Sequence, residues 1–113
     1  MALQMEPIEP ILAKICASAM FVRSRRLQRF LTYVTQWSVT HAGEPLKEYG
    51  IAIGVYDKPA SFDPQSDPII RVEASRLRSR LVEYYAGPGC RDPLIIELPK
   101  GSYTPSIRPR AMV

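Results

Sequence analysis

Residues 67–89 read DPIIRVEASRLRSRLVEYYAGPG, and this stretch carries its own start and stop signals. Asp67 before Pro68 has the form of a helix N-cap followed by proline in the first turn, and Gly87-Pro88-Gly89 is a terminator. Between them Ile70, Ala74, Leu77, Leu81 and Tyr84 recur at steps of four and three, which predicts a helix to Ala86 with one narrow apolar seam. Arg71, Ser75, Arg78 and Ser79 lie away from that seam. Glu73, Arg76, Arg80 and Glu83 form a further face whose opposite charges stand three residues apart, pairs worth only tenths of a kcal/mol. The expectation is a rod that turns its guanidinium groups outward.

Beyond the glycines, Leu94 to Leu98 and Ser102 to Ile107 are two short β runs around Pro99-Lys100-Gly101, which predicts a hairpin with a lysine at its tip. The closing RPRAMV reads as a basic tail. Upstream, the stretch 46–56, LKEYGIAIGVY, fits a short helix better than a strand, with Leu46, Tyr49, Ile53 and Tyr56 on one face. Residues 58–66 read as loop. Ser24 is a good N-cap for a helix reaching Thr40, with Leu27, Phe30, Leu31, Val34 and Trp37 or Ser38 inward. Arg25, Arg26 and Arg29 crowd its first turns against the helix dipole. A first helix is predicted from Pro7 to Met20 on the stripe Ile8, Ile11, Leu12, Ile15, Cys16 and Ala19.

The fold class that follows is mainly α with a C-terminal β-hairpin. At 113 residues the chain is expected to form one domain: a helical part over 6–41, a second part over 44–107 and a tail over 108–113. The longest uncharged apolar run, Ile15 to Val22, is too short to span a bilayer, and MALQMEPIEP has no export-signal pattern. With no CxxC or Cys/His cluster, the expected location is the cytoplasm.

Charge is unevenly placed. Fifteen Lys and Arg face eleven Asp and Glu, for a net +4, and eleven of the cations are arginine. Residues 23–29 hold +4, residues 71–80 hold +3 and residues 100–110 hold +3, leaving −6 for the rest. Such segregation suits phosphate or acidic partners. Chemistry finds little footing. There is one histidine, His41, beside the Ala42-Gly43 break. Cys16 and Cys90 stand alone, and no phosphate-binding loop, dinucleotide fingerprint, zinc-protease or nucleophile-elbow motif occurs. No catalysis, cofactor, metal or small-molecule ligand is expected.

The residues do resemble known domains. RVEASRLRSRL (71–81) is similar to the recognition helix of the OmpR/PhoB-type winged-helix effector domains of response regulators, with Ile70, Val72, Ala74, Leu77 and Leu81 in the apolar places and Arg76, Arg78 and Arg80 in the basic ones. IIELPKGSYTP (95–105) resembles that family's wing, Tyr103 taking the place of the wing tyrosine. A closer resemblance, from Leu46 through Pro105, is to an N-terminal domain of uncharacterised bacterial signalling proteins that share L-K-E-Y, F-D-P-x-x-D-P-I-x-R-V-E-A and I-E-L-P-K-G-x-Y-x-P. Three features depart from the response-regulator pattern: residues 7–40 read as helix where that family opens with a small sheet, Glu73 interrupts the basic helix, and Ser102 replaces the glycine before the tyrosine.

The resemblance implies a winged helix-turn-helix with extra N-terminal helices. The expected function is duplex DNA binding in transcription regulation, with a homodimer on the DNA. Arg71, Ser75, Arg78 and Ser79 would face the major groove, Lys100 would serve the wing, and Arg25, Arg26 and Arg29 would meet phosphates. The competing expectation is a protein-binding or oligomerisation module with an acidic partner, anchored by Tyr84, Tyr85 and Trp37.

Overall fold

An acid and a proline open the first helix, α1 (Glu9–Ala17), and Ser18 closes it: its amide and its hydroxyl both donate to the Ile15 carbonyl, at 3.1 and 2.6 Å. The helix therefore stops short of the expected Met20. Residues 18–23 turn irregularly, which leaves Ala19 exposed and delivers Phe21, fully buried, to the core in its place. The computed structural model describes residues 7–110.

Ser24 caps the next helix, α2 (Arg25–Thr40), by accepting from the Leu27 amide at 3.2 Å. The helix buries Leu27, Phe30, Leu31, Val34 and Thr35. A short α3 (Glu48–Gly54) follows. Its inward residues are Ile51 and Ala52, with Val55 just beyond, while Tyr49 and Ile53 are exposed. The face expected from sequence is thus rotated, because the helix begins at Glu48 and Leu46 packs from the preceding extended segment. Asp57 adopts φ 54° and the Lys58 amide reaches back six residues to the Ala52 carbonyl at 3.0 Å. This left-handed closure fixes where Tyr56 and Lys58 point.

The long helix, α4 (Ile69–Ala86), starts where the Asp67 carboxylate accepts from the Ile69 amide at 3.1 Å. Its whole predicted seam is buried, Ile70, Ala74, Leu77 and Tyr84 completely. It packs on α2, on α3 and on the first strand, so one core joins all the elements. Gly89 folds back over the Tyr84 ring so closely that a Cβ there would sit 2.2 Å from a ring carbon.

The hairpin pairs β1 (Leu94–Glu97) with β2 (Ser106–Pro109) in antiparallel register, Leu94 opposite Pro109 and Glu97 opposite Ser106. The second strand lies later than predicted. Gly101 at φ 83° and the Ser102 hydroxyl accepting from the Thr104 amide turn residues 98–105 into a longer loop. Arg108 and Pro109 consequently belong to the hairpin rather than to a tail, and the Arg110 amide still bonds the Pro93 carbonyl at 2.8 Å. By antiparallel alternation this turns Pro109 away from the ladder, where its missing N–H costs nothing. Residues 111–113 of the expected tail lie outside the described residues.

Tyr85 seals the other edge of β1. Its hydroxyl accepts from the Ile96 amide at 2.9 Å and donates to the Leu94 carbonyl at 3.1 Å. The result is four helices with an antiparallel hairpin packed against them, an order consistent with a winged-helix-like fold. Among the described residues no helix is long and apolar enough to cross a membrane.

Candidate nucleic-acid interface

Directly opposite the buried seam of α4 runs a second line of residues, Val72, Ser75, Ser79, Val82 and Ala86, all exposed. No side chain in it is longer than valine. Val72 is 49% exposed and Val82 71%, unusual for branched aliphatics on a helix this well packed elsewhere. Cations stand on both sides of this strip, and the two sides differ in what those cations do.

On the hairpin side, Arg71 and Arg78 are already engaged. The Arg71 guanidinium donates to the Glu48 carboxylate at 3.1 Å and to the Pro64 carbonyl at 2.8 Å. Tyr103 completes the knot by donating to the same carboxylate at 2.6 Å, and burial with that bond pushes its phenol above its ordinary pKa. Arg78 donates to the carbonyls of Leu98 and Ser102, at 3.1 and 3.4 Å. Both therefore reach sideways to oxygens of helix, loop and hairpin instead of standing free: Arg78 is partly buried against the hairpin loop, while Arg71 stays 48% exposed. Arg71 joins α4 to α3, and Arg78 holds the hairpin loop beside α4. What that loop offers to solvent is the exposed Lys100.

On the other side, Arg76 and Arg80 are 68% and 50% exposed and meet only acids of their own helix, Glu73 at 3.9 Å and Glu83 at 3.3 Å. The exposed Arg80–Glu83 pair contributes little, and the Arg76–Glu73 contact is long. Glu73 is buried, turned toward Tyr56 and away from the strip. Here α2 comes alongside. Arg26, Arg29 and Arg76 all lie near enough to Tyr56 to influence its hydroxyl, whose pKa is raised chiefly by burial and then by Glu73. Arg29 is 3.7 Å from Asp57, while Arg25 is exposed on the first turn of α2.

Ser75 and Ser79 thus fall in the centre of the exposed strip. Arg26 and Arg29 gather on one flank with Arg76, Lys100 stands on the other, and Arg71 and Arg78 brace the frame. The positive cluster at the C-terminus largely dissolves: Arg108 pairs with Glu97 at 2.8 Å, and Arg110 donates to the carbonyls of Asp92 and Gly89. Sequence reasoning named Tyr103 as the wing tyrosine but not its bond to Glu48, and it passed over the roles of Glu48 and Asp92. The one signal for Glu48 is an acid in the first turn of a helix, and Asp92 has no local signature.

The residues expected to anchor a protein partner fare differently. Tyr84 is fully buried and donates to Asp92 at 2.5 Å, so it is not available. Tyr85 is held against β1, and Trp37 is partly covered and stacked on His41, ring centres 4.5 Å apart. Among the described residues no cluster of three or more His, Cys, Asp and Glu side chains comes together as a metal site would require. Comparison of the chain with protein-family models, with curated proteins and with solved structures finds no match.

Proposed function

We propose that this chain is a winged helix-turn-helix domain that binds duplex DNA through α4 and so takes part in transcription regulation. The observation that carries the reading is the bare strip of α4 between two cationic flanks. The major groove admits an α-helix, and the short Ser75 and Ser79 allow close approach while offering hydroxyls to base edges. Val72 and Val82 suit the methyl group of thymine. Arg76 and Arg80 lie beside the strip and are freer than Arg71 and Arg78, so they replace that pair as the arginines that reach the duplex. Lys100 on the hairpin loop and Arg25, Arg26 and Arg29 on α2 would neutralise phosphates on either side.

The test is binding of a labelled duplex, followed by fluorescence anisotropy across a salt series. Wild type should bind more weakly as salt rises, and an R76A/R80A double variant should lower the salt slope by about two. Ser79→Glu should abolish binding without changing the circular dichroism spectrum, because the site is exposed. A folded wild type that ignores duplex at low salt, or an S79E variant that binds like wild type, would overturn the reading. A second reading rests on the same exposed valines: the strip, with the apolar groove of about 410 Å³ beside Val82, Tyr85 and Leu98, serves a protein partner or a second copy. Sedimentation of the free domain discriminates, since V82D would then dissolve a dimer.

A further inference from the structure

Between α2, the end of α3 and the start of α4 lies a notch of about 170 Å³ walled by Arg26, Arg29, Tyr56, Asp57 and Lys58. We propose that this notch is the seat of a single phosphate group, held between the two guanidiniums and the Lys58 ammonium. The inference deepens the DNA-binding reading and rests on it for the source of the phosphate, a backbone phosphodiester.

Three observations converge. The first is charge: three cationic side chains and one acid, Asp57, line a space ample for one tetrahedral oxyanion, with Asp67 on Lys58 and the buried Glu73 near Tyr56 as the other acids close by. Arg26 makes no ion pair or hydrogen bond among the described residues, and the pairing of Arg29 with the 80%-exposed Asp57 is loose, at 3.7 Å. Lys58 is 3.1 Å from Asp67 and keeps further donors for another acceptor. Guanidiniums suit such a ligand because their planar forks match phosphate oxygens.

The second observation is an unmet hydrogen-bond demand. Tyr56 lines the notch, and its hydroxyl is buried with no hydrogen-bond partner among the described residues. A buried donor left unpaired is costly, and a small rotation of Tyr56 toward a phosphate oxygen held between Arg26 and Arg29 would supply the acceptor it lacks. The third is local geometry. Asp57 holds a left-handed backbone at φ 54°, and this sets Tyr56 and Lys58 beside the arginines instead of continuing α3. Both α2 and α4 begin at the notch, so their dipoles add to the positive potential.

Two probes separate this site from the wider reading. The first is inorganic phosphate against chloride at equal ionic strength, read as amide shifts of residues 56–58 and 26–29 by NMR. The second is duplex DNA read by anisotropy. Saturable shifts are expected with phosphate, and R26A/R29A should abolish them. Asp57→Asn tolerates the left-handed backbone and removes the acid that lines the notch, so it should tighten duplex binding by about two- to fivefold. Tyr56→Phe should weaken phosphate binding while leaving stability equal or higher, which a merely structural tyrosine would not do. If wild type binds duplex yet D57N and R26A/R29A bind it equally well, the phosphate seat is refuted and the DNA reading survives. If duplex fails to bind but phosphate shifts persist and vanish in R26A/R29A, the seat stands for a free phosphate and the DNA reading falls. Absence of both signals removes both.

Discussion

Asp92 is the polar residue on which the most of this fold converges, and removing its carboxylate gives a quantitative test of the packing. The carboxylate is buried and accepts from Lys14 of α1 and, at 2.5 Å, from Tyr84 of α4, while its carbonyl accepts from Arg110 beyond the hairpin. In Asp92→Ala the hydroxyl of the fully buried Tyr84 loses its one acceptor among the described residues, a loss of about 1–3 kcal/mol. Lys14 is 55% exposed and returns to water, so its share is at most about 1 kcal/mol. The expected total is about 2–3 kcal/mol, or a fall in Tm of roughly 10–20 °C for a domain of this size. Urea and thermal unfolding by circular dichroism measure it. The decisive comparison is Tyr84→Phe in both backgrounds: destabilising in wild type, stabilising in D92A, where it removes an orphaned donor. Equal cost in the two backgrounds would refute the coupling. The pH dependence has a fixed sign. Burial opposes ionisation of Asp92, but Lys14, Tyr84 and Arg110 outweigh it and hold its carboxyl below the ordinary 3.8. Its contribution is therefore complete above that value and is lost as pH falls through the lower folded value. The stability gap between wild type and D92A should stay constant from neutrality down to mild acid, then close.

Three further outcomes follow from close contacts. Gly89→Ala places a methyl 2.2 Å from the Tyr84 ring and should destabilise by about 2–3 kcal/mol in urea unfolding, whereas Gly43→Ala, with open space around it, should act only through its φ of 86°. Arg78→Ala removes two donors from the hairpin loop; amide exchange should quicken over residues 98–103 while β1 stays protected, and unchanged loop exchange would contradict the bracing role. Of the two thiols, Cys90 is exposed while burial pushes Cys16 above its ordinary 9.0, so a disulfide-exchange reagent at pH 8 should modify Cys90 well before Cys16.

The elements that sequence read correctly are those whose information is local. Ser24 caps α2, and the α4 seam is buried at every predicted position; Asp67 does accept from the Ile69 amide, but the N-cap itself is Pro68, one residue later than the sequence placed it. Where reading went astray, a non-local partner or a backbone turn decided the matter. Ser18 ends α1 through its own hydroxyl and gives Phe21 the place assigned to Ala19. Gly101 and the Ser102–Thr104 turn delay β2, so Arg108 and Pro109 join a strand. Periodicity placed Tyr49 and Ile53 inward on α3, but a helix of seven residues is too short for period alone to fix its rotation.

The site was legible as a helix face and illegible as a set of contacts, for a reason that lies in arginine itself. Helical spacing fixes where a Cα stands, and it correctly put Ser75 and Ser79 outward, since their side chains end close to the backbone. An arginine ends several ångströms away, and its fork goes to whichever oxygens are nearest. Arg71 and Arg78 lie on the flank where Glu48, Pro64, Leu98 and Ser102 supply them; Arg76 and Arg80 lie where only acids of their own helix do. The roles of the two pairs are therefore set by what folds beside α4, which no inspection of residues 71–80 alone reveals. Exchanging the pairs is the sharpest consequence: R71A/R78A should lower stability first and duplex binding only as the frame loosens, and R76A/R80A should do the reverse, with unfolding curves near wild type and binding weakened at every salt concentration. Parallel loss of stability and binding in both variants would dissolve the distinction between brace and contact.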